Sequence, residues 1–279
     1  MKVLRAAVAM AAVAGIAAAG CSSGASGGGS TEALAHIHGI AINPADGEVY
    51  AGTHHGVYRV AAEGDLELIS ENTDDYMGFT VVGADHFLGS GHPAERAPGM
   101  DPHLGLIEST DGGRTWDTLS LEGEADFHAL EHQNGRVLGL NSVSGQLLSS
   151  TDNKTWTVLT ELSAYDIAVS PLDNDEILAT TPDGLARSRD EGKTFEPVPG
   201  APSLVLLSWP ENGPLVAVDA ESTVYISSDS GETWQEREAL TDRPQALFAS
   251  ADGEILVATE HSIFRSSDGG DFKVFRHLG

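Results

Sequence analysis

The stretch from Ser227 to Trp234, SSDSGETW, is a phrase the chain keeps repeating. It returns as STDGGRTW from Ser109 to Trp116 and as SRDEGKTF from Ser188 to Phe195. Two worn copies complete the series: STDNKTW (Ser150 to Trp156), one residue short, and SSDGGDF (Ser266 to Phe272), which lacks the Thr. The aspartates are Asp111, Asp152, Asp190, Asp229 and Asp268, so successive steps are 41, 38, 39 and 39 residues. A fixed period of about 40 residues marks a repeat architecture, and short strands within each period point to a propeller.

The phrase has a mechanical meaning. An apolar alternating strand such as Val224-Tyr-Ile226 runs into it, and another strand starts at the aromatic residue. Between them the Asp accepts backbone N–H bonds, Gly supplies a positive φ, and the aromatic ring packs under the turn. This resembles the Asp-box of sialidase-like (BNR) propellers, a group that includes sortilin and photosystem assembly factors. In that group the box is structural, so the resemblance implies a fold and says almost nothing about function.

Six units of four strands fill the region after Glu32. The expectation is an all-β chain forming a single six-bladed β-propeller with Asp-box turns over residues 32–279. The first unit lacks a box, and the second carries an insertion from Gly91 to His103. How the ring closes is left open, because the sixth unit owns all four of its strands.

The start of the chain reads as a leader. Met1-Lys-Val-Leu-Arg5 is positive, residues 6–17 are apolar but too short to span a bilayer, and Ala18-Ala-Gly-Cys21 offers small residues for cleavage. It looks like a bacterial lipobox, with Ala18 where Leu is commoner. Residues 1–20 are therefore expected to be a lipoprotein signal peptide, with Cys21 lipidated. Residues 21–31 are Gly- and Ser-rich, a flexible tether. The implied location is extracytoplasmic, lipid-anchored to the bacterial cell membrane. Cys21 is the only cysteine, which excludes an internal disulfide framework.

Cleavage would remove Lys2 and Arg5, taking 15 basic residues to 13 against 42 acidic ones, a formal −29. Such a field repels nucleic acid and concentrates cations. No nucleic-acid partner is expected. The same charge also keeps an exposed protein soluble.

In a propeller blade, the start of the first strand and the loop between second and third strands share one face, here called the top. The box turns lie on the other. Eight of eleven histidines map to the top: His36, His38, His54, His55, His92, His103, His128 and His261. Met77 and Met100 fall there too, with Asp74, Asp75, Asp101 and Asp126 close by. His36 and His38, two apart on a strand, point the same way, whereas of His54 and His55 only one faces the site. Converging imidazoles with a thioether suit a transition metal, copper first and zinc as the main competitor. The expected ligands are His36, His38, His54, His92, His103, His128 and Met77. The same residues would equally serve a polar small-molecule pocket through hydrogen bonds.

The phrases HIHGI from His36, THHG from Thr53, MGFT from Met77, SGHP from Ser90 and ADFHA from Ala125 are similar to a bacterial group of extracytoplasmic lipoproteins catalogued as glycosyl hydrolases of the BNR type. That resemblance implies a glycoside hydrolase acting on a non-sialic glycan, for which Asp75, Asp101, Asp126 and Asp166, all mapping to the top, offer a carboxylate pair. Sialidase chemistry is not expected, since a sialidase needs an arginine clamp and only Arg96, in the insertion, maps to the top. The third reading is an assembly or interaction scaffold whose protein partner the sequence does not name.

Overall fold

The computed structural model describes residue 34, residues 36–95 and residues 98–278. The expected signal peptide, the lipidation at Cys21, the tether and Arg96 lie outside the described residues. What is described is all-β: six four-stranded antiparallel sheets, each contiguous in sequence and ordered from first strand to fourth. They form a six-bladed β-propeller. The first strands of the blades, Ile37–Ile42, Asp75–Gly83, Phe127–Gln133, Asp166–Val169, Leu204–Ser208 and Pro244–Ala249, line a central channel of about 840 Å³.

Alternation builds the core between blades. Each sheet turns its apolar side chains towards both neighbours, and the buried side chains fall into six clusters, one per blade interface. Phe87 and Tyr76 of blade two pack on Tyr50 and Val57 of blade one. No strand is exchanged at the closure. Blade six meets blade one through Leu256 and Ile263 against Ile37 and Val49. Gln245 Oε1 accepts from the Ile37 amide at 3.0 Å, and Arg276 donates to the Ala61 carbonyl at 3.3 Å. The open question of closure thus resolves as packing of complete sheets.

The five repeated turns are built as the phrase requires. Asp111 accepts from the Arg114 and Thr115 amides, the Thr115 hydroxyl and the Ser109 hydroxyl, all within 3.1 Å. Trp116 Nε1 donates to the Gly113 carbonyl. Asp190 and Asp229 repeat the pattern with Thr194 and Thr233. The worn copies keep part of it, at Asp152 with Lys154 and Thr155, and at Asp268 with Gly270. These bonds hold Asp152, Asp190 and Asp229 at a pKa of about 2, Thr155, Thr194 and Thr233 contributing most. The turns follow third strands, so they lie opposite the starts of the first strands.

Five of the six first strands, all but that of blade four, share a local irregularity. In blade one the pairing steps from Ile37↔Thr53 to Gly39↔Gly52, leaving His38 as an extra, bulged residue. Met77 is bulged in the same way in blade two and His128 in blade three, as are Val205 and Gln245 in blades five and six. A bulge re-aims the side chain it carries. His38, Met77 and His128 therefore occupy equivalent positions in three consecutive blades, and all three line the channel.

Candidate metal centre at the channel mouth

His36 precedes the first strand of blade one instead of lying in it, and its φ of 89° is rare for a residue with a Cβ. Its ring nevertheless stacks on that of His38, centroids 6.3 Å apart and 17° between planes, as expected for two side chains pointing the same way. His54 follows the second strand of blade one and closes the group, 5.1 Å from His36 and 4.5 Å from His38 between centroids. His38 Nε2 lies 3.4 Å from both ring nitrogens of His54.

Blade two supplies the next members. Asp75 opens its first strand and pairs with His92 at the end of the second. Gly91 makes that pairing fit: its φ is 148°, and a Cβ there would sit 1.8 Å from the Asp75 carbonyl oxygen. Gly39 plays the matching part between blades, where a Cβ would come within 2.5 Å of the Phe79 carbonyl oxygen. The inner strands of blades one and two can therefore approach closely beside His38.

The carboxylates tie the histidines into one chain of contacts. Asp75 Oδ1 is 2.7 Å from His54 Nδ1, and Asp75 Oδ2 is 3.7 Å from His92 Nδ1. His92 Nε2 is 3.3 Å from Asp126 Oδ2, which is 2.8 Å from His128 Nε2. His103, returning from the insertion, brings its ring 5.4 Å from that of His92. Two triads, His38 with His54 and Asp75, and His92 with His103 and Asp126, each bring one ligand atom per residue within 4.8 Å of the others.

Burial and charge set the state of these groups. Asp126 is 2% exposed. Burial alone would raise its pKa, but the bonds from His128 and Ser142, with the charges of His128 and His92, hold it below the usual carboxylate value. His38 is pushed down to about 4, first by burial, then by His54, against the opposing pull of Asp75. At neutral pH it offers a free lone pair.

The mouth is also where hydrogen bonding is incomplete. Among the described residues six buried side-chain polar atoms have no hydrogen-bond partner, and three of them are His92 Nδ1, His103 Nδ1 and Asp126 Oδ1. Buried polar atoms are normally paired, so this concentration sets the mouth apart from the rest of the described residues.

Of the seven expected ligands, the structure joins His36, His38, His54, His92, His103 and His128 in one connected group. Met77 stands on the channel wall at the bulge between His38 and His128. His55 is exposed, and His261 is drawn to Asp242 at 3.2 Å, so neither joins it. Sequence reasoning placed Asp75 and Asp126 nearby but missed that they hold the histidines together. The signal was their position, since Asp75 and Asp126 each stand two residues before the bulged residue of a first strand, as His36 stands before His38.

The other acids are elsewhere. Asp166 faces the channel and accepts from the Leu207 and Ile167 amides. Asp101 is exposed. One arginine was misjudged: Arg243 precedes the first strand of blade six and so also lies at the top, its Nε 3.7 Å from Glu260. Among the described residues, one arginine there does not make an arginine clamp.

No family model matches this sequence. Among curated proteins, the photosystem II assembly lipoprotein Ycf48 of Synechococcus sp. (strain CC9902) is 27% identical over 179 residues, 59% of this chain and 53% of its own length. The chain thus spans about half the length of the curated relative it matches. Among solved structures, the GH74 xyloglucanase from Xanthomonas campestris aligns over 86% of this chain and 45% of its own, with a TM-score of 0.54 and 17% identity. The WD40 β-propeller domain of Doa1 aligns over 87% of this chain and 83% of its own, with a TM-score of 0.56 and 11% identity. At these identities the solved structures establish the fold alone.

Proposed function

We propose that this chain is an extracytoplasmic propeller, anchored to the cell membrane through Cys21, whose channel mouth binds a transition metal. The observation that carries the reading is the trio of buried, unpartnered ligand atoms on His92, His103 and Asp126. Imidazole and carboxylate donors suit divalent zinc and copper, and at such sites affinity rises to Cu²⁺ before falling at Zn²⁺. Met77, at the bulge position between His38 and His128, adds a soft donor that tips the choice further to copper. The anchoring rests on the lipobox-like leader, and the likeness to a curated lipoprotein favours it.

A second reading has its own support. The curated relative is named as an assembly factor, which favours a mouth that docks a protein. A glycoside hydrolase gains less, since the likeness to a xyloglucanase is one of fold. Asp75 and Asp126 are moreover both held by imidazoles, which leaves neither free as a simple acid or nucleophile.

Titration calorimetry on the full chain with Cu²⁺ and Zn²⁺ tests the metal reading. The parent should bind copper more tightly than zinc, and affinity should fall as pH drops, because a protonated imidazole has no lone pair to offer a metal. His38→Ala combined with His103→Ala, one from each triad, should weaken binding at least tenfold without changing the melting curve. Parent and double variant binding both ions equally poorly would leave the docking reading in possession of the site.

A further inference from the structure

The donors at the mouth do not converge on one point. They divide into two triads without a shared member, each compact within 4.8 Å, one on blades one and two and the other on blades two and three. Asp75 stands at the join. Its Oδ1 is turned to His54 of the first triad at 2.7 Å, and its Oδ2 to His92 of the second at 3.7 Å. The second distance is too long for a hydrogen bond, and His92 Nδ1 remains unpartnered.

Resting on the metal reading, we propose that the mouth binds two ions, one per triad, with the Asp75 carboxylate bridging them. Each triad offers two imidazoles and one carboxylate. In the first triad three protein ligands leave a tetrahedral ion with an open position, the arrangement of sites that hold a further water or small ligand, whereas in the second the bridging Asp75 supplies a fourth ligand. Two dications side by side repel, and a carboxylate that lends one oxygen to each is what offsets that repulsion.

The unpartnered atoms favour the second ion in particular. His92 Nδ1, His103 Nδ1 and Asp126 Oδ1 all belong to the second triad, and Asp126 is almost wholly buried. In the first triad His54 and Asp75 already satisfy one another. A single ion at the first triad would leave those three atoms unaccounted for.

The test is copper loading of the chelator-stripped full chain, read by mass spectrometry under native conditions and by electron paramagnetic resonance. The parent should take up two Cu²⁺ and show the half-field signal of two coupled spins. His54→Ala and His103→Ala should each keep one ion and lose that signal, with melting curves unchanged. Asp75→Asn should weaken uptake of both ions at least tenfold. One ion in the parent, two ions without coupling, or a single variant that keeps two or loses both would overturn the two-ion centre. No uptake at all would overturn the metal reading beneath it.

Discussion

At the bottom of the propeller, Asp111 accepts four hydrogen bonds from its own turn. At the top, Asp126 shares one oxygen among His128, His92 and Ser142 and leaves the other without a partner, although it is far more deeply buried. The two are the same residue at the ends of short strands, yet their surroundings differ in kind. The three full box turns satisfy their aspartates with residues up to four places on, so those carboxylates have nothing left to give. The mouth draws its groups from three blades and leaves them under-satisfied, which is a cost in stability unless something binds there.

A third carboxyl sets the scale for that contrast. Asp166 on the channel wall is pushed up to about 7 by burial, against the opposing backbone bonds from Leu207 and Ile167. Its pKa is raised above the unfolded value, so the folded protein binds the extra proton between about pH 4 and 7, and stability falls as pH rises through that window. Its side chain keeps some contact with the channel, which discounts the full conversion to about 2 kcal/mol. Asp166→Asn should remove that slope, so the stability difference between variant and parent should grow from pH 4 to 7 in thermal melts and then level off. A parallel pair of profiles would show that Asp166 titrates as an exposed carboxyl does.

Removing a saturated carboxylate should cost stability and nothing else. Asp111→Ala should lower stability by about 1–2 kcal/mol, from the loss of bonds to two turn amides. Burial resists ionisation of Asp111, but the Thr115, Ser109 and Arg114 bonds hold its pKa below the usual value. Its contribution is therefore present above about pH 4 and fades below it. Metal affinity should not change. A loss of binding in this variant would erase the distinction between the two faces.

The smallest effect belongs to the mouth. His103→Leu removes a buried nitrogen that has no partner, so the metal-free protein should stay within about 0.5 kcal/mol of the parent or gain slightly. Denaturant unfolding in chelator measures this directly. A loss as large as that of Asp111→Ala would mean that His103 is a structural residue.

The two faces also differed in how far the sequence disclosed them. The turns were legible because each is local, its Asp bonded within a few residues of the chain, and five copies at near-constant spacing fix a period of which six units fill the region after Glu32. Alternation of loops then placed His38, His54, His92, His103 and His128 on one face. What stayed hidden needs contacts between blades. The bulges at His38, Met77 and His128 arise from strand pairing, and no residue type announces them. The role of Asp75 between His54 and His92 depends on how closely Gly39 and Gly91 let the backbones approach. His55 and His261 share the face but not the site, because loop direction decides between neighbours.

The central claim, that the mouth is unsaturated because it holds metal, is tested most directly by elemental analysis of the full chain purified from unsupplemented medium without chelator. The account predicts copper or zinc in stoichiometric amount, copper exceeding zinc once both are offered, and a fall in metal content in His103→Leu but not in Asp111→Ala. Parent protein free of both metals, and unable to take either up when they are supplied, would contradict it.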